Sequence, residues 1–330
     1  MKILGVSCGR KYSNTEILVK EALMGAEEAG AEVELIRLHD LTIKPCTGCN
    51  ACVVDLFEKG GSGHCTIRED DFNFFDEKFL ECDGMVVGSP IYEKSPSGQL
   101  KSLNDRMGPS HDMAFQMIAR DIHKAKGSPD GKGPDPRFFK DRASILIGVG
   151  GSEWDTLAAP LLHLFVFPMQ IAVLDKIIAN WVALPGSVVF REDLLQRAHN
   201  SGRHLAESLK KPISEAKYIG EPGICPLCNS KLIEIREDDK NYPAICGICG
   251  VRGTLNVIDG KVKFEISEAD RPHSHVLLSG KFGHAKELQE RSLVKNPNQH
   301  ELPQRLEKYK KYLTATQPVR KPVELKPALQ

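Results

Sequence analysis

The chain has 330 residues, 41% hydrophobic and 27% charged, and its 44 Lys+Arg balance 44 Asp+Glu to a formal net charge of zero. That suits a globular protein of one large domain with an appendage, or of two domains, and supplies no global field for nucleic acid or membrane. No apolar run reaches the ~18 residues of a spanning helix, and the start MKILGVSCG reads as a buried strand, so a cytoplasmic location is expected.

In chain order, KILGVSC (2–8) is a continuous apolar strand, followed by a helix over 14–29 with Ile17, Leu18, Ala22 and Leu23 on one face. AEVELIRL (31–38) alternates as a strand, and residues 70–82 form a helix with an acidic first turn. Strands three, four and five are expected at 84–90, 142–150 and within 171–182. A helix over 153–167 is started or kinked by Pro160, and another covers 191–211. Residues 108–141, dense in Gly, Pro and Asp, read as an irregular excursion: a lid, an oligomer contact or a surface loop. Apolar strands alternating with helices predict an α/β, doubly wound, five-stranded parallel sheet over 1–212, with its ligand crevice at the carboxyl ends of the strands.

Beyond Pro212 the pattern changes. Residues 220–266 read as a small β-rich ribbon with short strands KLIEI and KVKFEI and a turn at Asp259-Gly260. Residues 267–330 are an extension with a His-containing stretch, a short helix near 299–313 and the proline-spaced tail QPVRKPVELKPALQ.

Eight of the ten cysteines fall in two clusters. Cys225, Cys228, Cys246 and Cys249 form two C-x2-C knuckles, which places four sulfurs around one ion: a structural zinc, or alternatively a rubredoxin-like iron. Such a small segment needs that metal to fold. Cys46, Cys49 and Cys52 recur every third residue, the spacing that wraps several irons, and Cys65 offers a fourth thiolate after a glycine-rich spacer, making a [4Fe–4S] cluster the leading occupant. Metal-free structural or redox thiols and zinc are the other two. Cys8 and Cys82 read as small buried residues, and His64, His273, His275 and His284 as solvated.

Three loops follow strands directly. SCGRKYSNT (7–15) opens a helix and surrounds its N-terminus with hydroxyls and a cation, a setting for phosphate or for simple capping. GSPIYEKSPSGQLKSLNDR (88–106) offers Tyr92 to a flat ligand, and GVGGSEWDT (148–156) lets backbone approach a ring. No G-x-G-x-x-G opens a helix here, so a Rossmann dinucleotide site lacks its signature.

With the cysteine loop after strand two, these motifs make residues 1–210 resemble the NAD(P)H-dependent FMN reductases of flavodoxin-like fold, and among them the iron–sulfur flavoproteins. The resemblance implies FMN phosphate bound by Ser7, Arg10, Ser13, Asn14 and Thr15. It implies an isoalloxazine ring between Pro90, Ile91 and Tyr92 on one side and Gly150, Gly151 and Ser152 on the other. It further implies a homodimer or homotetramer, and electrons passing between NAD(P)H or ferredoxin, a [4Fe–4S] cluster, FMN and a quinone, oxygen species or organic acceptor, with the cofactor rather than side chains carrying the chemistry. Cys65 lies farther from Cys52 than the iron–sulfur flavoprotein pattern usually has it. A redox-sensing binding module without turnover is the alternative from another class.

Overall fold

A computed structural model of the chain describes residues 1–127, 133–236, 240–293 and 297–316; the expected proline-spaced tail lies outside them. Five parallel strands, β1 (Lys2–Ser7), β2 (Glu32–Arg37), β3 (Gly84–Tyr92), β4 (Ala143–Val149) and β5 (Ala172–Ala179), run in the order β2-β1-β3-β4-β5. This is the flavodoxin-like order, with its topological switch between β1 and β3. Ser7 pairs with Gly88, and Pro90 with Val149, which in turn pairs with Ala179. The loops leaving β1, β3, β4 and β5 therefore emerge at one end of the sheet.

The strands are apolar on both sides because helices cover both faces. On one, α1 (Asn14–Glu28) and α6 (Glu192–Ser208) pack Leu18, Val19, Ala22 and Leu205 against Ile3, Val86, Ile145 and Ile177. On the other, α2 (Phe72–Glu81), α3 (Gly98–Met107) and α5 (Ala158–Val166) enclose Leu4, Met85, Val87 and Leu146 with Phe75, Phe79, Leu103 and Phe165. Pro160 sits in the first turn of α5, where the missing N–H costs nothing.

The stretch 108–141 departs from the expected irregularity: it contains α4 (Met113–Ala125). Asp112 caps it by accepting from the N–H groups of Ala114 (3.0 Å) and Phe115 (3.4 Å), and Ala114, Phe115 and Ala119 bury one face. The Gly, Pro and Asp residues of the sequence GSPDGKGPDP follow the helix, and their density hid the amphipathic run before them.

Four antiparallel strands, β6 (Ile233–Ile235), β7 (Ala244–Cys246), β8 (Arg252–Ile258) and β9 (Lys261–Glu265), form the ribbon in the order β9-β8-β7-β6. Asp259 and Gly260, at φ +52° and +72°, make the tight turn between β8 and β9. The His-containing stretch runs into α7 (Leu278–Glu287), where buried Lys281 pairs with Asp112 at 2.9 Å. The rings of His275 and His284 lie 5.9 Å apart, and His284 stacks on Phe115. His275 is half-buried, whereas His273 and His284 are exposed, as expected. Residues 1–285 make one compact unit and 286–330 a second, which carries α8 (Leu302–Tyr312). Among the described residues no helix is long and apolar enough to cross a membrane.

Candidate functional site

The loop after β1 is wound tightly. The Gly9 N–H donates to Ser7 Oγ (3.2 Å), and Ser13 Oγ caps α1 by accepting from the Glu16 N–H (3.2 Å). A Cβ on Gly9 would stand 2.2 Å from Ser13 Oγ, so only glycine fits. Asn14 turns its side chain away from the loop: Nδ2 donates to the carbonyls of Val182 (2.6 Å) and Leu184 (2.8 Å), and Oδ1 accepts from the Val188 N–H (3.0 Å). The first-turn amides of Asn14 and Thr15 have no acceptor inside the helix, and Arg10 is exposed beside them. Buried Glu16 is held at about 2: burial acts to raise it, and hydrogen bonds from Arg37 and Lys20 overcome that. Its charge is thereby neutralised beside the helix end.

After β3, Ser89 Oγ accepts from the Ser97 N–H (2.9 Å) and donates to the Pro90 carbonyl (2.9 Å). Ile91 and Tyr92 pair back with Pro96 and Ser95 across a turn whose residues, Glu93 and Lys94, are left-handed (φ +47° and +68°). Tyr92 is thus presented to solvent. Beneath, burial pushes the Cys8 thiol up to about 12, so it stays neutral. After β4, the Gly150 N–H donates to the Ala179 carbonyl (2.9 Å) and its carbonyl accepts from Val182 (3.1 Å). Ile91 Cδ1 reaches within 3.4 Å of where a Cβ on Gly148 or Gly150 would lie, so the second and third loops meet. Ser152 Oγ accepts from the Trp154 N–H (3.4 Å), and Asn180 Nδ2 donates to Asp155 (2.6 Å).

The predicted residues of these loops therefore share one end of the sheet. A fourth loop, 180–190, joins them, pinned by Asn14. It was not legible in the sequence, where Asn14 read as a cap or phosphate ligand. Tyr12, Tyr92, Trp154, Trp181, Leu184 and Phe190 stand exposed around this end. Helix amides and a cation for a phosphate, with open backbone and apolar side chains for a flat ring, are a donor set that fits a flavin mononucleotide.

The cysteine loop hangs from a clamp. Buried Arg106 donates to the Lys44 carbonyl (3.0 Å), Asp70 Oδ2 (2.6 Å) and the Ile67 carbonyl (3.2 Å), joining the two ends of the loop. Inside it, a short helical segment over 51–59 docks Phe57 on Phe115 of α4, ring centroids 4.8 Å apart. Gly60 and Gly63, at φ +68° and +70°, then reverse the chain, and the Gly63 N–H donates to Asp55 (3.1 Å). The spacer folds back in this way towards Cys65. Burial, and then the nearness of Cys65, Cys46 and Cys49, raise the Cys52 thiol, whereas the Thr66 hydroxyl (3.5 Å) lowers that of exposed Cys49. His64 is exposed, as expected.

Cys225, Cys228, Cys246 and Cys249 are buried with their four sulfur atoms all within 4.8 Å of one another, 3.7 Å for Cys225–Cys249 and 3.5 Å for Cys228–Cys246. Contact with Cys225, then with Cys246, and burial raise the thiols of Cys228 and Cys249; four thiolates at this spacing need a cation among them. Lys176 of β5 ties the site to the sheet, its ammonium donating to the carbonyls of Cys228 (2.8 Å) and Asn229 (3.2 Å). Neither Arg106 nor Lys176 was singled out from the sequence, although Arg106 ends the SLNDR run.

The fold and the strand-end crevice define a flavodoxin-like flavin-binding protein. The profile of the family "NADPH-dependent FMN reductase" matches residues 1–174, more than half of the chain, and the protein belongs to that family. A flavone synthase of Aspergillus candidus is 28% identical over 299 residues, 88% of this chain and 89% of the relative. A solved flavone reductase is 32% identical with a TM-score of 0.80, covering 96% of this chain and all of its own. An iron–sulfur flavoprotein of Methanocaldococcus jannaschii is 42% identical over 118 residues, 36% of this chain and only 56% of the relative. The likeness to the flavone enzymes thus extends through the ribbon; this match to the iron–sulfur flavoprotein covers about a third of the chain.

Proposed function

We propose that this oxidoreductase takes electrons from NAD(P)H or a reduced ferredoxin and, through FMN and a [4Fe–4S] cluster, reduces an organic acceptor built on a flavone-like ring system. The observation that carries it is the meeting of the loops after β1, β3 and β4 at the switch point of the sheet. The phosphate would rest on the amides of Asn14 and Thr15 with Arg10 as counter-ion, inside the tight turn made by Ser7, Gly9 and Ser13. The ring would lie between Pro90, Ile91 and Tyr92 and Gly150, Gly151 and Ser152. FMN supplies hydride and one-electron transfer when bound; the chain's own residues position it and shield it from water.

Cys46, Cys49, Cys52 and Cys65 are the proposed [4Fe–4S] ligands, and the ribbon cysteines hold zinc, with rubredoxin-like iron as the alternative. The apolar rim of Tyr92, Trp154, Trp181 and Phe190 favours a second copy over this end, in a cytoplasmic homodimer or homotetramer. The flavone scaffold is taken from the names of the two relatives similar over most of the chain. Anaerobic turnover tests the function: with NADH, NADPH or reduced ferredoxin, the FMN-loaded protein should reduce the hydroxyflavone apigenin. Bound FMN with no turnover from any donor, to apigenin or to menadione, would overturn it.

A further inference from the structure

A cleft of about 500 Å³ opens beside the proposed flavin site. Its floor is the edge strand β5, where Lys176 and Ile178 lie on one face while Asp175, Ile177 and Ala179 point into the core, with Asn180 just beyond the strand end. One wall is Asp155 with the first turn of α5, including Ala159 and Pro160; the other is the ribbon, with Leu232 at its lip. We infer that this cleft is the acceptor-binding site, that it takes a neutral, flat, hydroxylated aromatic, and that the four-cysteine ribbon is present to form its second wall. The inference rests on the flavin-reductase reading above and adds where, and by what, the acceptor is held.

These observations carry it. The cleft is continuous with the flavin loops: Asn180 bonds Asp155, and its Oδ1 lies 3.3 Å from where a Cβ on Gly150 would stand. That oxygen is buried without a partner where the cleft and the flavin loops meet. The volume is in the range that encloses a drug-sized molecule, roughly 300–1,000 Å³. The lining cations are already engaged, since Lys176 donates to two backbone carbonyls and Lys231 pairs with Glu221 at 3.1 Å on the exposed rim. An anionic phosphate would find no uncommitted cation among these described residues, whereas Pro160, Ile178 and Leu232 offer apolar surface to a ring. Finally, the metal site sets the wall's position: the Cys225 N–H donates to the Ser230 carbonyl (3.0 Å) and the Gly247 N–H to the Leu232 carbonyl (3.0 Å), so both knuckles brace the strip that faces the cleft.

Leu232 is partly exposed, so a bulkier side chain fills the cleft without entering a core. The test is a calorimetric titration of apigenin into the FMN- and metal-loaded full chain without an electron donor. Wild type is compared with Leu232→Trp and, from the opposite wall, Ala159→Phe, with FMN and metal content as the control for folding. Each variant is expected to weaken apigenin binding about 10-fold or more, at unchanged cofactor content. No apigenin binding to wild type, or affinities in both variants within about twofold of it, would overturn the inference. So would a rise in the nicotinamide KM, measured with ferricyanide, at unchanged apigenin affinity. If wild type binds apigenin but reduces nothing, the function fails while the affinity comparison still decides the cleft.

Discussion

The two cysteine clusters of this chain contain four thiols each and are built in opposite ways. In the ribbon, short antiparallel strands bring four buried sulfurs within 4.8 Å of each other, and the surrounding core is the cysteines themselves with Ala244, Ile248, Val251 and Phe264. In the 46–65 loop the sulfurs are exposed or half-buried and are not gathered to single-ion spacing, and the chain is shaped by Arg106, Asp55 and the docking of Phe57. The ribbon thus gathers its sulfurs around one point, whereas the loop is held at both ends by the reductase domain. On the function proposed above, the buried site is structural and the surface site carries electrons.

The largest effect should separate them. Stripping the metal from the ribbon with a chelator removes binding energy of the order of 10 kcal/mol, as in other small metal-folded units. Hydrogen exchange should then show amides of 225–265 losing protection while residues 1–210 keep theirs and FMN stays bound; a ribbon protected without metal would break the contrast. Next comes Arg106→Ala, which leaves Asp70 buried and unpaired and should cost roughly 3–5 kcal/mol. Thermal unfolding should report that loss, and limited proteolysis should open the 46–65 loop without exposing the ribbon.

The smallest effect is an acid one that touches neither cluster. Glu16 is depressed to about 2 in the fold from an ordinary 4.5. Its contribution to stability is therefore complete above 4.5 and is lost as pH falls towards 2. Arg37→Ala should flatten that part of the stability–pH curve, and an unchanged curve would show that the Glu16–Arg37 pair contributes nothing.

Much of this was legible in the sequence, because short apolar strands and four-cysteine spacing are local signals. The strand order needed the structure, but the α/β alternation and the turn at Asp259-Gly260 already stood in the sequence. What stayed hidden acts across long separations. Arg106 reaches back 36 residues to Asp70, Asn14 holds a loop 168 residues away, and Lys176 reaches the knuckle at Cys228. No periodicity announces such partners. Helix α4 was missed for a different reason: glycines and prolines at its far end coloured the whole stretch, although Asp112 and the apolar face of 113–119 carried a helix signal.

The most direct test of the account is anaerobic purification followed by flavin, iron, sulfide and zinc analysis of the wild type and of Cys52→Ala. The account predicts one FMN, about four iron and four sulfide and about one zinc per wild-type chain, with iron and sulfide lost and FMN and zinc kept in the variant. No iron in wild type after anaerobic reconstitution, or unchanged iron in Cys52→Ala, would contradict it.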